Sequence, residues 1–239
     1  MSRQADIRLG ADLLPPTGAV AAHDSTAPSA PAGRDPRRIL QAATIVAGPV
    51  LMTAFQLLDP AILPREEAGR YLASVATDTD RFAISMICYM LAMVAGIPAA
   101  AATLRLTRHR ARLLGLIGAV FTVLGVAAGL ATAGMQLGTL GLIADGTVLP
   151  YGAEAFARFQ EGPGFHIVVD PVVTAVLGFL FTAIALGVSR KVPLWAPFAL
   201  FGGLVLGSNE FGWIVTVTGT MIQIAALATV ARALLRDPS

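Results

Sequence analysis

Charge is the scarcest commodity in this sequence, and its absence is uneven. Asp, Glu, Lys and Arg make up 13% of the 239 residues, and none of them falls between Arg112 and Asp145. Ordinary globular domains carry about a quarter charged residues. A bilayer span needs roughly 20 apolar residues, and a charge at its centre costs at least about 2.5 kcal/mol. A soluble domain has no reason to exclude charge from Leu113 to Ala144, so the chain reads as an integral membrane protein. Cysteine is nearly absent too: Cys88 stands alone inside an apolar run. It excludes an intramolecular disulfide and a cysteine-paired metal site, and it reads as a small core residue. Lys191 is the one lysine among 17 basic residues, and no window interleaves clustered Lys/Arg with aromatics, which excludes a nucleic-acid interface.

Chemical motifs are missing as well. No Gly-x4-Gly-Lys-Ser/Thr phosphate loop occurs, and no connection is long enough for a nucleotide-binding domain, so ATP-driven work would need a partner subunit. Gly-x-Ser-x-Gly and His-Glu-x-x-His are absent. A proton path would leave acidic or histidine stepping stones across the membrane. The inner halves of the apolar segments have none.

What is present is mostly apolar: 55% hydrophobic residues, with a mean hydropathy of +0.70. Abundant Ala and Gly with Arg in place of Lys suggest a GC-rich bacterial genome. Residues 1–36 differ from the rest, with Pro15, Pro16, Pro28, Pro31 and Pro36 set among Ala, Gly, Ser and Thr. Such a segment buries too little to offset its ordering entropy and is predicted to be a disordered tail. It does not read as a secretory signal, because Gly18 to Ala22 is a short apolar core broken by His23 and Asp24.

Over 37–236 the prediction is an all-α transmembrane bundle of six spans: about 39–58, 82–104, 113–141, 166–188, 193–208 and 211–234. The connections alternate in charge. Arg34, Arg37 and Arg38 precede the first span; Arg105, Arg108, His109, Arg110 and Arg112 follow the second; Arg190 and Lys191 follow the fourth; Arg232 and Arg236 end the last. The other connections carry the acids. Lys/Arg bias sets orientation, which predicts a cell inner membrane protein with both termini cytoplasmic. The fifth segment is short for a span, and a re-entrant hairpin there would put Arg232 and Arg236 on the wrong side. Trp195 and Trp213 fall where an aromatic belt would place them.

The third segment contains Gly125-x3-Gly129 and Gly134-x3-Gly138, spacings that let backbones approach closely in lipid. Packing within the chain is the favoured use of Gly125 and Gly129, with an oligomer contact as the alternative. The segment exceeds one span, so it should tilt or break near Gly134, Gly138 or Gly141. The two long outer loops are similar: each starts Leu-Pro (Leu63-Pro64, Leu149-Pro150) and continues with Glu-Ala, an Arg and an aromatic. Ala68, Tyr71, Leu72 and Val75 in one, and Ala155, Phe156 and Phe159 in the other, recur at helical spacing. Both loops are predicted to form short amphipathic helices on the outer membrane surface, and the likeness raises the question of a duplicated helix pair.

Polar residues in spans are candidate sites. His166 and Asp170 lie four apart, on one helical face. Asn209 and Glu210 sit at the outer end of the fifth segment, Gln56 and Asp59 at that of the first, and Gln136 in the outer part of the third. Gln223 lies deeper in the sixth. The outer residues could simply satisfy helix ends, line a vestibule for a small polar or cationic solute, or, in the case of His166, Asp170 and Glu210, approach a metal such as zinc. No cofactor is indicated.

With Gly48-Pro49 in the first span, Tyr71-Leu72-Ala73 before Arg81-Phe82, and an Arg-rich turn ahead of a Gly-rich third span, the chain resembles the small six-span membrane proteins of unknown function found in actinobacteria and related bacteria. The resemblance covers about 38–236. It implies a helical membrane bundle and supplies no activity. The leading functional expectation is non-enzymatic: binding or transport of a small solute through an outward-facing polar vestibule, with the lipid bilayer as the one certain partner. An accessory membrane subunit and a metal-dependent membrane enzyme are the alternatives.

Overall fold

The computed structural model describes residues 36–60, 67–170, 173–207 and 213–236. The predicted tail, apart from Pro36, lies outside the described residues, as do Leu63-Pro64, Asn209 and Glu210. The chain is all-helical: α1 Pro36–Leu58, α2 Ala68–Thr77, α3 Thr79–Thr107, α4 Arg112–Gly138, α5 Gly152–Glu161, α6 Pro163–Val169, α7 Val173–Ser189, α8 Trp195–Leu206 and α9 Trp213–Arg236. A two-residue antiparallel ladder, Ile143–Ala144 with Thr147–Val148, is the one departure among the described residues.

Four helices are long and apolar enough to cross a membrane: α1, α3, α4 with its continuation to Leu142, and α9. Their side-chain sizes show what solvent they meet. On α3, Ile84, Ile87, Leu91, Val94 and Ile97 fall at helical spacing and are each 47–52% exposed, whereas Ala92, Ala95 and Ala102 are buried. Large aliphatics point out and small residues point in. Exposed stripes of that size would be a liability in water; they suit lipid.

The bundle closes into a ring. In order, α1 packs on α3, α3 on α4, α4 on α7, α7 on α8, α8 on α9, and α9 back on α1. Neighbouring helices alternate in direction. One end gathers the start of α1, the ends of α3, α7 and α9, and the start of α8, around a core that includes Ala42, Leu106, Leu186, Leu200 and Leu234. Arg37, Arg38, Arg105, Arg108, Arg110, Arg112, Arg190, Lys191, Arg232 and Arg236 lie at this basic end, with no acid among its described residues.

Glycine sets the helix spacing. A Cβ on Gly125 would sit 2.5–2.6 Å from Ala175 of α7, and one on Gly178 of α7 would sit 2.6 Å from the Thr122 backbone nitrogen of α4. Gly129 faces Met93 and Tyr89 of α3. Gly125 and Gly129 thus pack against helices of the same chain. A second close crossing, absent from the sequence reading, joins the last two ring helices: a Cβ on Gly203 of α8 would lie 2.7 Å from the Gly219 carbonyl of α9.

The opposite end is capped. The loop helices α2 and α5 pack on each other, with Tyr71 stacked on Phe156 at 5.3 Å between ring centroids. Tyr71, Leu72, Val75, Phe82, Met86 and Phe156 form its core, backed by Phe55 and Leu137 from the ring helices. Both loops are amphipathic helices, as their spacing predicts; the apolar face of α2 is buried in protein, whereas on α5 Phe156 is buried and Ala155 and Phe159 are exposed. Asp78 separates α2 from α3 and accepts a hydrogen bond from the Arg81 N–H at 3.0 Å, an N-cap.

Three boundaries differ from the sequence reading. The third span tightens into a 3-10 turn, Thr139–Leu142, directly after Gly138, within the region predicted to break. Asp145 and Gly146 then adopt positive φ of 50° and 72° in a two-residue hairpin loop, the Asp-Gly signature of a primed turn. Within the predicted fourth span 166–188, α6 runs to Val169 and α7 from Val173, and residues 171–172 lie outside the described residues. α7 and α8, of 17 and 12 residues, reach about 26 and 18 Å at 1.5 Å per residue, less than a core of ~30 Å.

Interior glycines weaken a free helix relative to alanine, so two kinds of site should respond oppositely. Gly125→Ala and Gly178→Ala are expected to destabilise the detergent-solubilised protein by about 1–3 kcal/mol through overpacking. Gly134→Ala, with nothing within 4 Å of its Cβ position, is expected to stabilise by about 0.5–1 kcal/mol. Thermal unfolding of the three variants checks the ordering; equal losses at all three would contradict it.

Candidate functional site

Gln56, near the end of α1, is a tie between helices. Its Nε2 donates to the Gly207 carbonyl at 3.0 Å, and its Oε1 accepts from the Thr220 hydroxyl of α9 at 3.2 Å. Gly207 is the residue that ends α8, so the amide satisfies one of the carbonyls that every helix end leaves without an intrahelical partner. Short α8 is held to the ring by this contact. Gln56 is therefore a positioning residue for three helices.

Asp59 is half-buried just beyond α1, close enough to Tyr71 for its charge to act on the phenol. Burial, and then Asp59, push the Tyr71 hydroxyl well above its ordinary pKa. Thr139 pulls weakly the other way, but its own proton is committed to the Gln136 carbonyl at 2.6 Å. The Tyr71 hydroxyl makes no hydrogen bond among the described residues. Gln136 is half-buried near the end of α4. His166 and Asp170 do meet, Nδ1 to Oδ2 at 3.4 Å, with side chains 60% and 69% exposed. His166 belongs to α6, and Asp170 directly follows it. No group of three metal-ligating side chains occurs among the described residues, and the third ligand of the predicted set, Glu210, lies outside them, together with Asn209.

The polar residues at the capped end are thus spent on separate tasks. Gln56 joins helices, Asp59 stands by Tyr71, and His166 pairs with Asp170 on the surface.

A concavity lies elsewhere. A cavity of about 140 Å³ occupies the ring axis between the cap core and the basic-end core, and all six ring helices contribute to its wall. Pro49 of α1, Gly96 of α3, Thr122 of α4, Phe179 of α7, Leu204 of α8 and Gln223 of α9 illustrate the lining. No ionisable side chain is among it. The Thr44, Thr103 and Thr122 hydroxyls in the wall donate back to their own helices at 2.9, 3.0 and 2.8 Å. Gln223 is different. It is 8% exposed, lines the cavity, and makes no side-chain hydrogen bond among the described residues. Pro49 adds a second polar group, since without an N–H it leaves the Ile45 carbonyl of the same wall without its helical donor.

Sequence reasoning noticed Gln223 only as a deep polar residue. Its one available signal was an amide in the middle of an otherwise apolar span, and that gives no hint of whether a neighbouring helix supplies a partner. Compared with known proteins, the chain matches no family model, no curated protein and no solved structure.

The Gln56 tie yields a test. Gln56→Leu keeps the volume and removes both hydrogen bonds, with an expected loss of about 0.6–1.7 kcal/mol, the scale of interhelical hydrogen bonds in membranes. Thr220→Val added to it should cost less than the sum of the two single changes. Strict additivity in thermal unfolding would mean that the two side chains act independently.

Proposed function

We propose that the chain is a six-span protein of the cell membrane with both termini in the cytoplasm, and that it binds a small neutral molecule in the cavity on the ring axis. α7 and α8 serve as the fourth and fifth spans despite their length, because each takes its place in the ring between the same two ends as its longer neighbours. The charge partition supports the orientation. Every described acidic residue, from Asp59 to Asp170, belongs to a connection at the capped end, and the basic end has none. Lys/Arg-rich ends face the cytoplasm, where α1 begins and α9 finishes.

Gln223 carries the binding reading. Its amide makes no hydrogen bond to a described residue yet stays reachable from the cavity, and leucine there would add apolar packing without losing a protein hydrogen bond. In a binding site the same amide gives a ligand one donor and one acceptor. The rest of the wall decides the ligand's character. A cation would meet no carboxylate there, and an uncompensated charge in such surroundings costs several kcal/mol. The occupant is therefore neutral, with an apolar body about the size of one benzene ring, which a cavity of ~150 Å³ accepts, and with a single hydroxyl or carbonyl for Gln223. This moves the solute site from an outer vestibule to the bundle interior. The accessory-subunit reading retains one observation: Gly134 and Gly138, four apart on α4, have nothing within 4 Å of their Cβ positions.

Two measurements test these readings separately. Reporter fusions after Arg112 and after Arg236 should both report cytoplasm; an external signal at either breaks the six-span topology. For the cavity, Gln223→Leu is expected to raise the melting temperature of the purified protein. Phenol should stabilise the wild-type chain more than toluene does, and Gln223→Leu should erase that difference. A destabilised Gln223→Leu variant, or equal responses to both compounds in the wild type, would contradict the assignment.

A further inference from the structure

A second, half-open pocket lies at the basic end and shares no lining residue with the axial cavity. It forms where the turn between α3 and α4 meets the turn between α7 and α8, and Leu106, His109, Arg110, Ser189, Arg190 and Lys191 line its volume of about 270 Å³. Two of these residues are arginines, one is the chain's single lysine and one is a histidine, and no acid is among them. Lys/Arg bias accounts for basic residues near span ends. It does not account for residues from two separate turns facing one pocket.

The backbone supplies an independent observation. Arg190 has a φ of +52°, in the left-handed region that disfavours a residue with a Cβ. The position directly follows the end of α7, where helices commonly place glycine for this reason. This chain has many glycines and keeps an arginine here. Strained backbone of this kind is retained where the side chain it presents has a use. The neighbouring side chains hold the two turns in place. The Arg108 Nε donates to His109 Nε2 at 3.1 Å, which leaves the imidazole proton on Nδ1. The Ser189 hydroxyl donates to the Leu186 carbonyl at 2.8 Å and accepts from the Lys191 backbone N–H at 3.4 Å, which fixes the turn carrying Arg190 and Lys191.

We propose that this pocket binds a phosphate group, with Arg110 and Arg190 as the guanidinium donors and Lys191 as a further positive charge. Arginine offers a planar fork that matches phosphate oxygens in pairs, and lysine adds a point charge. The phosphate can arrive as the headgroup of an anionic phospholipid, since the pocket sits at the end of the spans, or on a soluble phosphorylated molecule.

The test uses the full chain in nanodiscs. One arm compares retention of phosphatidic acid with that of phosphatidylcholine by native mass spectrometry; the other adds inorganic phosphate to discs of phosphatidylcholine alone and follows thermal unfolding. Preference for phosphatidic acid identifies the lipid source, and stabilisation by free phosphate identifies the soluble one. Either supports the site. Arg190→Gly removes the charge and relieves the backbone, so it should fold at least as well as the wild type and bind about tenfold more weakly, the scale of one lost charge-assisted hydrogen bond. Arg110→Gln should lose a similar factor. Arg236→Gln, at the same end but not in the pocket wall, should bind as the wild type does. No preference in either arm, unchanged binding in Arg190→Gly, or an equal loss in Arg236→Gln would overturn the proposal, the last by showing diffuse attraction in place of a site.

Discussion

Close approach of helix backbones at glycine is the contact on which the rest of this bundle depends. Lipid tails are as apolar as leucine, so burying a large side chain between helices gains little over leaving it in the bilayer. Cohesion must come from dense contact and from hydrogen bonds across helices. Gly118, Gly125 and Gly178 bring α4 against α7, and Gly203 and Gly219 bring α8 against α9, so tightly that a methyl group would meet backbone atoms. The large residues are displaced outward, as the half-exposed stripe on α3 shows. Along the middle of α3 the size pattern is the inverse of a water-soluble core, while Phe82, Met86 and Leu106 are buried at its two ends.

A ring built with small residues inside has a consequence for its axis. Alanine, glycine and threonine cannot fill the space between six helices, so the middle stays open, while Leu, Ile, Tyr and Phe close the two ends. Polar groups are then separated by depth. At the capped end Gln56 is fully engaged with Gly207 and Thr220. In the middle Gln223 faces the cavity without a protein partner. These are the same side chain in two roles, and the difference lies in what the neighbouring helix offers. At the basic end the pattern changes again, and cationic side chains from two turns surround a pocket of their own.

Much of this was legible in the residues. Uncharged runs mark α1, α3, α4 and α9 because run length reports directly on bilayer thickness. Periodic apolar residues mark α2 and α5, although spacing alone does not say that Tyr71 finds Phe156 instead of lipid. The hairpin was available in Asp145-Gly146, yet it directly follows a long uncharged stretch whose hydropathy masks it. Glycine spacing identified Gly125 and Gly129 as contacts but not their partners Ala175 and Met93, which are remote in sequence. The site was least legible. Charge drew attention to His166, Asp170 and Glu210, whereas the informative property of Gln223 is a missing partner, and that is a property of three dimensions.

Ring closure is the claim on which the cavity, the Gln56 tie and the size pattern all rest, and it hinges on α1 meeting α9, the first and last helices of the ring. Cysteine cross-linking in native membranes measures this most directly. With Cys88 replaced by alanine, the pair Gln56→Cys and Thr220→Cys should join efficiently under a short bifunctional thiol reagent, because the native side chains are in contact at 3.2 Å. Gln56→Cys with Thr218→Cys, whose native side chain is exposed two residues earlier on α9, should join poorly. Equal yields from the two pairs, or none from the first, would contradict a closed ring.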